Sequence, residues 1–315
     1  MNILKFIRYP QFCDLNKPSA VTIGNFDGIH LGHQYLIRQI VKRAKKDGLQ
    51  SIVVTMSPLA SQYFAGKDNV KIITPFKQKF KLFKDLKANV GCFLNFNDKL
   101  AHLEAEEFIQ DVLIDGLNVQ YILIGDDFRF GKKRKGDFQL LKSYCEDKNI
   151  VVDNISSVKV VGQRVSSSLV REKLKQSDFV SVKEFLGRDY SIIGKVSKGQ
   201  QLGRELGYPT INIKLTNQSP PVEGIFCVSV KFDNGSLHYG AASLGYRPTV
   251  NGTGKILEVH LLDFDKQVYG EIVEVLFHHK LRNEVKFGSL EELKQNIDED
   301  VRQTRLFFQK QISKF

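Results

Sequence analysis

The pattern of apolar residues changes once along the chain, and this change constrains the fold more than any other feature. Before about residue 186, short apolar runs alternate with segments of helical periodicity. Because strands joined by helices usually pair in parallel, the alternation predicts a parallel sheet with helices on both faces. The runs predicted as strands are VTIG (21–24), SIVVTM (51–56), VGCFLNF (90–96), YILIG (121–125) and NIVVDNI (149–155).

The helical segments are predicted from apolar residues that recur every three or four positions. In the clearest of them, Leu36, Ile37, Ile40, Val41 and Ala44 share one face. The predicted helices of this part cover residues 31–46, 76–86, 104–114, 138–146 and 166–175.

After residue 186 six strand-like runs follow one another with turn signals between them and no helical pattern. This succession predicts a closed or nearly closed antiparallel barrel. A final helix is predicted after Ser289, which has capping-box spacing to Glu292. A chain of 315 residues is long for one core, so we predict two domains, at residues 1–185 and 186–315. The six runs are SIIGKVS, INIKL, GIFCVSVKF, LHYGAASLG, ILEVHLLDF and EIVEVLFHHKL.

The charge of the chain favours an anionic partner. The formal net charge is +11, and the first 185 residues carry 29 basic and 20 acidic side chains. Phosphate-bearing small molecules and nucleic acid both fit this balance. The basic residues are dispersed, and only KKRK (132–135) is clustered. We therefore expect small-molecule partners and no nucleic acid, with nucleic-acid binding kept as an alternative.

Cysteine spacing and hydropathy exclude several other classes. Cys13, Cys92, Cys145 and Cys227 lie far apart, without the C-x-x-C spacing of zinc sites, and each is predicted to be a small buried side chain. The first residues lack the apolar core of a signal peptide, and no run approaches the length of a membrane span. These observations predict a cytoplasmic enzyme or binding protein with no membrane partner.

The segment GNFDGIHLGH (24–33) lies between a predicted strand and a predicted helix. Its glycines, Gly24, Gly28 and Gly32, allow a tight turn and close approach of a ligand. His30 and His33 fall at the start of the helix, where free N–H groups and the helix dipole favour anions. Two imidazoles there can stabilise charge that develops on an attacked phosphate. A zinc site is disfavoured because no third ligand is near.

Two further segments add groups suited to phosphates and rings. GDDFRFG (125–131) follows a predicted strand. VSSSLVREKL (165–174) places serine hydroxyls before a helix and Arg171 one turn into it. Hydroxyls and N–H groups at a helix start bind phosphates, and a guanidinium adds a charged fork.

These three segments, in this order, resemble motifs of the bacterial bifunctional riboflavin kinase/FMN adenylyltransferases, or FAD synthetases. The resemblance implies a Rossmann-like nucleotidyltransferase domain that transfers the adenylyl group of ATP to FMN, releases pyrophosphate and uses Mg²⁺. His30 and His33 are implied as catalytic residues. Asp127, Phe128 and Phe130 are implied near the flavin or adenine. The residues implied in ATP binding are Gly24, Phe26, Asp27, Gly32, Ser166, Ser167 and Arg171.

The chain departs from that family at one segment. The family has T-F-D-P-H-P after its second strand, whereas this chain has Thr55-Met56-Ser57-Pro58-Leu59-Ala60. Ser57 and Leu59 replace an acid and a histidine. This departure motivates an alternative function, a riboflavin kinase whose first domain only binds nucleotide or flavin.

In the second part, GRELGYPTINI (203–213) places Thr210 and Asn212 two residues apart, on one face of a strand. A hydroxyl and an amide oxygen suit a Mg²⁺ ion that keeps several waters. The segment resembles the G-R-x-L-G-x-P-T-A-N motif of riboflavin kinases. KGQQLG (198–203) is then implied as a flap over ATP phosphates, and the ATP-binding residues are Lys198, Gly199, Gly203 and Pro209.

The run LEVHLLDF (257–264) places Glu258 and His260 on one strand face. A carboxylate there can orient and deprotonate a substrate hydroxyl. The family resemblance implies that Glu258 is the base for the ribityl hydroxyl that attacks the γ-phosphate of ATP. It also implies flavin contacts for Arg282 and Phe287. The predicted function is phosphorylation of riboflavin to FMN and adenylylation of FMN to FAD, by a monomer or weak homo-oligomer.

Overall fold

The structure of the protein is a computed structural model, which describes residues 4–9, 15, 17–66, 69–156, 158–160, 162–199, 202–215, 219–249 and 252–312. The chain divides into two compact units. Unit 1 contains the described residues up to Val70 together with Thr74–Ser167, and unit 2 contains Lys71–Ile73 and the described residues from Ser168 onward. The domain boundary expected at residues 185 and 186 stays a prediction. The compact units divide elsewhere, between Ser167 and Ser168.

Unit 1 contains a sheet of six parallel strands, in the order β1-β4-β3-β2-β5-β6. The predicted parallel sheet is confirmed. The edge strand β1 was not predicted, because its charged residues interrupt the apolar run. The strands are β1 (Lys5–Tyr9), β2 (Ser19–Ile23), β3 (Gln50–Met56), β4 (Val90–Leu94), β5 (Val119–Gly125) and β6 (Val151–Ile155), and a small hairpin follows, β7 (Lys159–Val160) with β8 (Gln163–Arg164).

Helices cover both faces of this sheet. Alternate residues of β3 belong to two separate apolar clusters: Ile52 and Val54 pack in one, and Val53 packs in the other. Successive side chains of a strand point to opposite faces, so the two clusters are the two covered faces. The helices of unit 1 are α1 (Leu31–Asp47), α2 (Ala60–Ala65), α3 (Phe76–Asp85), α4 (Asp98–Ala101), α5 (Ala105–Glu107) with its π-helical continuation Phe108–Gly116, a 3₁₀ turn Lys132–Arg134, and α6 (Phe138–Glu146). The next helix, α7 (Ser167–Lys175), begins at the last residue of unit 1 and otherwise belongs to unit 2.

Unit 2 contains the predicted antiparallel barrel, and the barrel is closed. Its strand order is β10-β13-β12-β11-β14-β9, and β9 and β10 pair to complete it. The strands are β9 (Ser191–Ser197), β10 (Thr210–Lys214), β11 (Gly224–Phe232), β12 (Leu237–Thr249), β13 (Gly252–Leu261) and β14 (Ile272–Arg282).

After α7, unit 2 contains three more helices: α8 (Phe179–Leu186), α9 (Leu202–Glu205) and α10 (Leu290–Ile312). The predicted cap of the last one is confirmed, since the backbone N–H of Glu292 donates to Ser289 Oγ at 3.1 Å. Helix α8 and the one-turn helix α9 were not predicted. Phe179 packs against Phe226 and Phe277 of the barrel, so α8 belongs to the same core.

Three of the predicted buried cysteines, Cys92, Cys145 and Cys227, are buried free thiols, and Cys13 lies outside the described residues. Burial raises the pKa of Cys92 to about 12, so this thiol stays protonated and unreactive at neutral pH.

Within the described ranges, no helix has the length and hydropathy needed to traverse a bilayer.

Candidate active sites

The two histidines of unit 1 lie together in the connection between β2 and helix α1. His30 is the N-cap of α1, and its Nδ1 accepts a hydrogen bond of 3.3 Å from the backbone N–H of His33. The two rings stack with centroids 3.7 Å apart. His30 is buried. Both imidazole rings therefore lie together at the N-terminus of helix α1, as the sequence predicted.

The loop before the histidines is held by burial of its apolar residues. Phe26 and Ile29 have positive φ angles of 44° and 42°, which are unfavourable for residues with a Cβ. Both side chains are fully buried, and the Phe26 ring packs against His33 and Phe83. Packing thus maintains a strained loop. The predicted role of Phe26 in ATP binding stays a prediction. Because its ring is fully buried, the residue could contact ATP through its backbone.

Asp27 connects the loop to two other segments of unit 1. Its buried carboxylate Oδ1 accepts from the backbone N–H of Thr74 at 2.9 Å, and its backbone carbonyl accepts from Ser167 Oγ at 2.8 Å. The predicted residue Ser167 is therefore brought to the histidine loop. Arg171 belongs to unit 2, where its Nε donates to the carbonyl of Lys71 at 2.8 Å.

The loop GDDFRFG carries one partly exposed aromatic residue and one buried one. Phe128 and Phe130 stack at 5.4 Å, and Phe130 is only 4% exposed because it packs against Phe108. Asp127 accepts a 2.8 Å hydrogen bond from Arg164. Flavin contacts by these residues stay predictions. Arg164 was missed, and its position directly before the serine segment was the signal that could have found it.

The segment that departs from the family is packed in place. Leu59 is 3% exposed and precedes helix α2, where its backbone N–H donates to Gln62 Oε1 at 3.2 Å. The backbone N–H of Ser57 donates to the carbonyl of Leu94 at 2.9 Å. The leucine is thus part of the core rather than a replacement for a polar ligand.

Electrostatics keep the second histidine of unit 1 neutral. The pKa of His33 is lowered well below 6.5, first by burial and then by the neighbouring His30 and Lys79. Among the described residues, no group hydrogen-bonds to the buried Nδ1 of His33. A neutral imidazole with one N–H can donate to a phosphate oxygen without carrying a charge of its own.

Unit 2 contains a cavity of about 520 Å³ between strands β10, β12 and β13 of the barrel and helix α10. Strand pairing brings the polar groups of this cavity together, because Asn212 lies opposite Glu258 and Thr210 lies opposite His260. Ser243 pairs with Glu258 from the other side. The cavity thus contains Gly203, Thr210, Asn212, Glu258, Arg282 and Phe287, all of which the sequence predicted as site residues.

A second cavity of about 290 Å³ adjoins the first. It contains the predicted residues Gly199 and Pro209, and it shares Thr210 and Asn212 with the larger cavity. Lys198 lies near it, with its ammonium 6.0 Å from the centroid of the Tyr269 ring. The two cavities therefore meet at the Thr210 hydroxyl and the Asn212 amide.

Arg282 is anchored by a carboxylate of helix α10. Its guanidinium donates from two nitrogens to Asp300, at 2.9 and 2.7 Å, and lies 5.6 Å from the Phe287 ring. Burial raises the pKa of Asp300, while Arg282 acts in the opposite direction. A bidentate pair of this kind fixes the orientation of the arginine at the rim of the cavity.

Removal of this arginine is expected to destabilise unit 2. Arg282→Met leaves the carboxylate of Asp300, 7% exposed, without its cation. We expect a loss of roughly 3–5 kcal/mol in the free energy of unfolding, measured by urea denaturation. Adding Asp300→Asn should recover much of it. A loss below about 1 kcal/mol would mean that the pair behaves as a surface ion pair.

A histidine loop at a helix N-terminus in unit 1 and two polar cavities that meet in unit 2 are features expected of an enzyme that transfers groups from a nucleotide. The FAD synthetase family model matches residues 13–169, and the riboflavin kinase family model matches residues 186–308. Bifunctional riboflavin kinase/FMN adenylyltransferases of Haemophilus influenzae and Pseudomonas fluorescens are 39% and 41% identical to the chain. Each alignment covers 92% of this chain, and 94% and 93% of the respective relative. The chain belongs to this bifunctional family and carries both of its catalytic domains.

A solved structure shares the architecture over nearly the whole chain. That structure is named as a macrolide-efflux protein from Streptococcus pneumoniae, and it has 28% identity and a TM-score of 0.78. The match covers 96% of this chain and 99% of that one. The efflux name applies to the neighbour alone, because both family models point to flavin nucleotide synthesis for the present chain.

The predicted bifunctional activity is confirmed by these matches. The alternative of a kinase with an impaired first domain is not favoured, because the FAD synthetase model matches that domain. The relatives are also named for both activities. Ser57 and Leu59 are therefore a local departure within an active family.

Proposed function

We propose that riboflavin is phosphorylated in the larger cavity of unit 2, between the barrel and helix α10, and that FMN is adenylylated at the histidine loop of unit 1. One observation carries the kinase assignment. Thr210 and Asn212 lie where two cavities meet, and Glu258 pairs directly across from Asn212. An acceptor in the larger cavity and ATP in the smaller one would bring hydroxyl and γ-phosphate together at this junction.

In the proposed kinase step, Glu258 accepts the proton of the ribityl 5′-hydroxyl. The hydroxyl oxygen forms a bond to the γ-phosphorus of ATP as the bond to the β,γ-bridging oxygen breaks, and ADP leaves. A base must lie within hydrogen-bond reach of the proton that it removes. Phe287 and Arg282 at the cavity rim offer a ring face and a cation to the isoalloxazine.

The residues at the junction fit a magnesium ion. Thr210 Oγ1 and Asn212 Oδ1 are hard oxygen donors on neighbouring positions of one strand face. Asn212 is 7% exposed, and its amide lies so close to Gly199 that an added Cβ would come within 2.5 Å of it. When bound, Mg²⁺ would neutralise charge on the phosphates, while Thr210 and Asn212 hold it together with waters and phosphate oxygens.

Gly199→Ala is expected to weaken this site. The added Cβ would displace the Asn212 amide, since it would approach Nδ2 and Oδ1 to 2.5 and 2.6 Å. We expect the Mg²⁺ concentration needed for half-maximal FMN formation to rise about 10- to 100-fold. Gly288→Ala is the control, because its Cβ would find its nearest neighbour at 3.7 Å. Equal Mg²⁺ dependence in both variants would contradict a metal role for Asn212.

In the proposed adenylyl transfer, an oxygen of the FMN phosphate forms a bond to the α-phosphorus of ATP, and pyrophosphate leaves. His30, His33 and the start of helix α1 would stabilise charge on the α-phosphate. The contact of Ser167 with Asp27 supports a place for the serine segment beside this loop. Catalysis here is positioning and electrostatics, since no covalent intermediate is needed.

One assay tests both assignments. The purified protein is incubated with ATP and Mg²⁺ plus either riboflavin or FMN, and the flavins are separated by chromatography. We expect FMN and FAD from riboflavin, and FAD from supplied FMN. FMN alone, even with FMN supplied, would contradict adenylyl transfer, and no flavin turnover together with salt-sensitive RNA binding would favour the nucleic-acid alternative.

Location and assembly complete the proposal. Use of ATP supports a cytoplasmic location, and we propose a monomer or weak homo-oligomer with a functional boundary at residues 185 and 186. Sedimentation at several protein concentrations checks the assembly. Expression of residues 186–315 alone checks the boundary through riboflavin phosphorylation.

A further inference from the structure

Lys79 is a buried cation at the histidine loop that no motif of the sequence marks. It lies on helix α3 and is 4% exposed. Its ammonium donates a 2.7 Å hydrogen bond to the backbone carbonyl of Asn25, in the loop between β2 and α1. Buried lysines are rare and need a reason, because removing an ammonium from water is costly.

The carbonyl that Lys79 binds is held from two sides. Thr55 Oγ1, at the end of β3, donates to the same oxygen at 2.9 Å. Asn25 directly precedes Phe26, whose φ is 44°. The ammonium and the hydroxyl thus fix the peptide orientation just where the loop enters its strained conformation, and the Phe26 ring then contacts His33 at 5.1 Å between ring centroids.

Helix α3 contributes to this arrangement twice. Lys79 reaches the loop carbonyl, and Phe83, one turn later, packs its ring against Phe26 at 5.8 Å between ring centroids. Residues four apart share a helix face, so one face of α3 supports the loop with a charge and a ring. The loop is therefore positioned by an element about fifty residues away in sequence.

We infer that Lys79 is a positioning residue for adenylyl transfer, which fixes the Asn25 carbonyl and places a positive charge beside the two histidines. The inference rests on the proposed role of the histidine loop. The charge has a second consequence. Burial is the main cause of the low pKa of His33, and the neighbouring His30 and Lys79 lower it further, while the Asp27 carboxylate of the same loop accepts a hydrogen bond from the backbone of Thr74.

The sign of the expected pH effect follows from these groups. Lys79 opposes a proton on His33, so removing its charge raises the pKa of His33. If the neutral ring is the active form, the acid limb of the pH profile for FAD formation then moves to higher pH. A purely structural lysine would alter stability without moving this limb.

The test uses Lys79→Met, which keeps the chain length, Lys79→Arg, which keeps the charge, and the exposed Lys84→Met on the same helix as a control. We expect kcat for FAD formation from FMN to fall about 10- to 100-fold in Lys79→Met, with partial recovery in Lys79→Arg. Riboflavin phosphorylation by the same molecules should be unchanged. The His33 resonance, assigned with His33→Gln, should titrate at higher pH in Lys79→Met alone.

Two results would overturn the inference. One is normal FAD formation by Lys79→Met. The other is a loss that matches the unfolded fraction seen by circular dichroism, with the His33 titration unchanged. Failure of the unaltered enzyme to form FAD would instead contradict the proposed adenylyl transfer. In that case the His33 titration by itself decides whether Lys79 acts on the loop.

Discussion

Glu258→Gln is expected to lower riboflavin phosphorylation about 10²- to 10⁴-fold, the usual contribution of a general base. The amide keeps the size of the side chain and its place opposite Asn212 but cannot accept the proton. The barrel should stay folded, because Glu258 is partly exposed at the cavity and the strand is held by its buried neighbours Leu257 and Val259.

The same variant should convert supplied FMN to FAD at the rate of the unaltered enzyme, because the proposed adenylyl site lies in unit 1. Chromatography of the flavins gives both rates from one preparation. Glu271→Gln, an exposed glutamate just before β14, is the matched control. Equal loss of both activities would contradict the division between the units, and an unchanged kinase rate would remove Glu258 as the base.

His30→Asn is expected to lower FAD formation from FMN about 10²- to 10³-fold, the cost of one donor to developing charge. Asparagine is chosen because it can still accept the N-cap hydrogen bond that His30 accepts from the backbone of His33. Loss of the cap and loss of the imidazole are thereby separated, and FMN formation from riboflavin should not change.

Stability measurements complete this comparison. His30→Ala removes the cap and should cost about 1 kcal/mol of unfolding free energy, whereas His30→Asn should cost little. His102→Asn, at an exposed histidine of unit 1, is the control for activity. If His30→Asn retained full FAD formation, the capping role would be the whole function of this histidine.

Most of the fold was predictable from local patterns. The strands of the parallel sheet and the six barrel strands are short apolar or alternating runs, and such periods can be read without knowing what the strand packs against. Strand β1 was missed because Lys5 and Arg8 interrupt its apolar run, which an edge position permits. Helices α2 and α4 were missed because each has six residues or fewer, too few to show a period.

Some residues of the candidate sites were likewise predictable from local sequence, and others were not. The histidine loop and the pair Thr210 and Asn212 could be predicted because each set lies within a few residues of sequence. Lys79 could not, since it binds Asn25 across 54 residues of chain. The contact of Arg164 with Asp127 also spans 37 residues, and the only local signal for this arginine was its position directly before the serine segment. Burial of Phe130 against Phe108 was equally invisible, because aromatic residues in a motif look alike whether they face a ligand or a core.

The sequence by itself determined the two architectures and the family of flavin enzymes, because periodicity and spaced motifs are local properties of the chain. Only the tertiary structure decided which of these residues meet. Strand pairing set Glu258 across from Asn212 at the junction of two cavities, and helix packing brought a buried lysine to the histidine loop. Such contacts depend on pairing register and packing between distant segments, and no local pattern of residues encodes them.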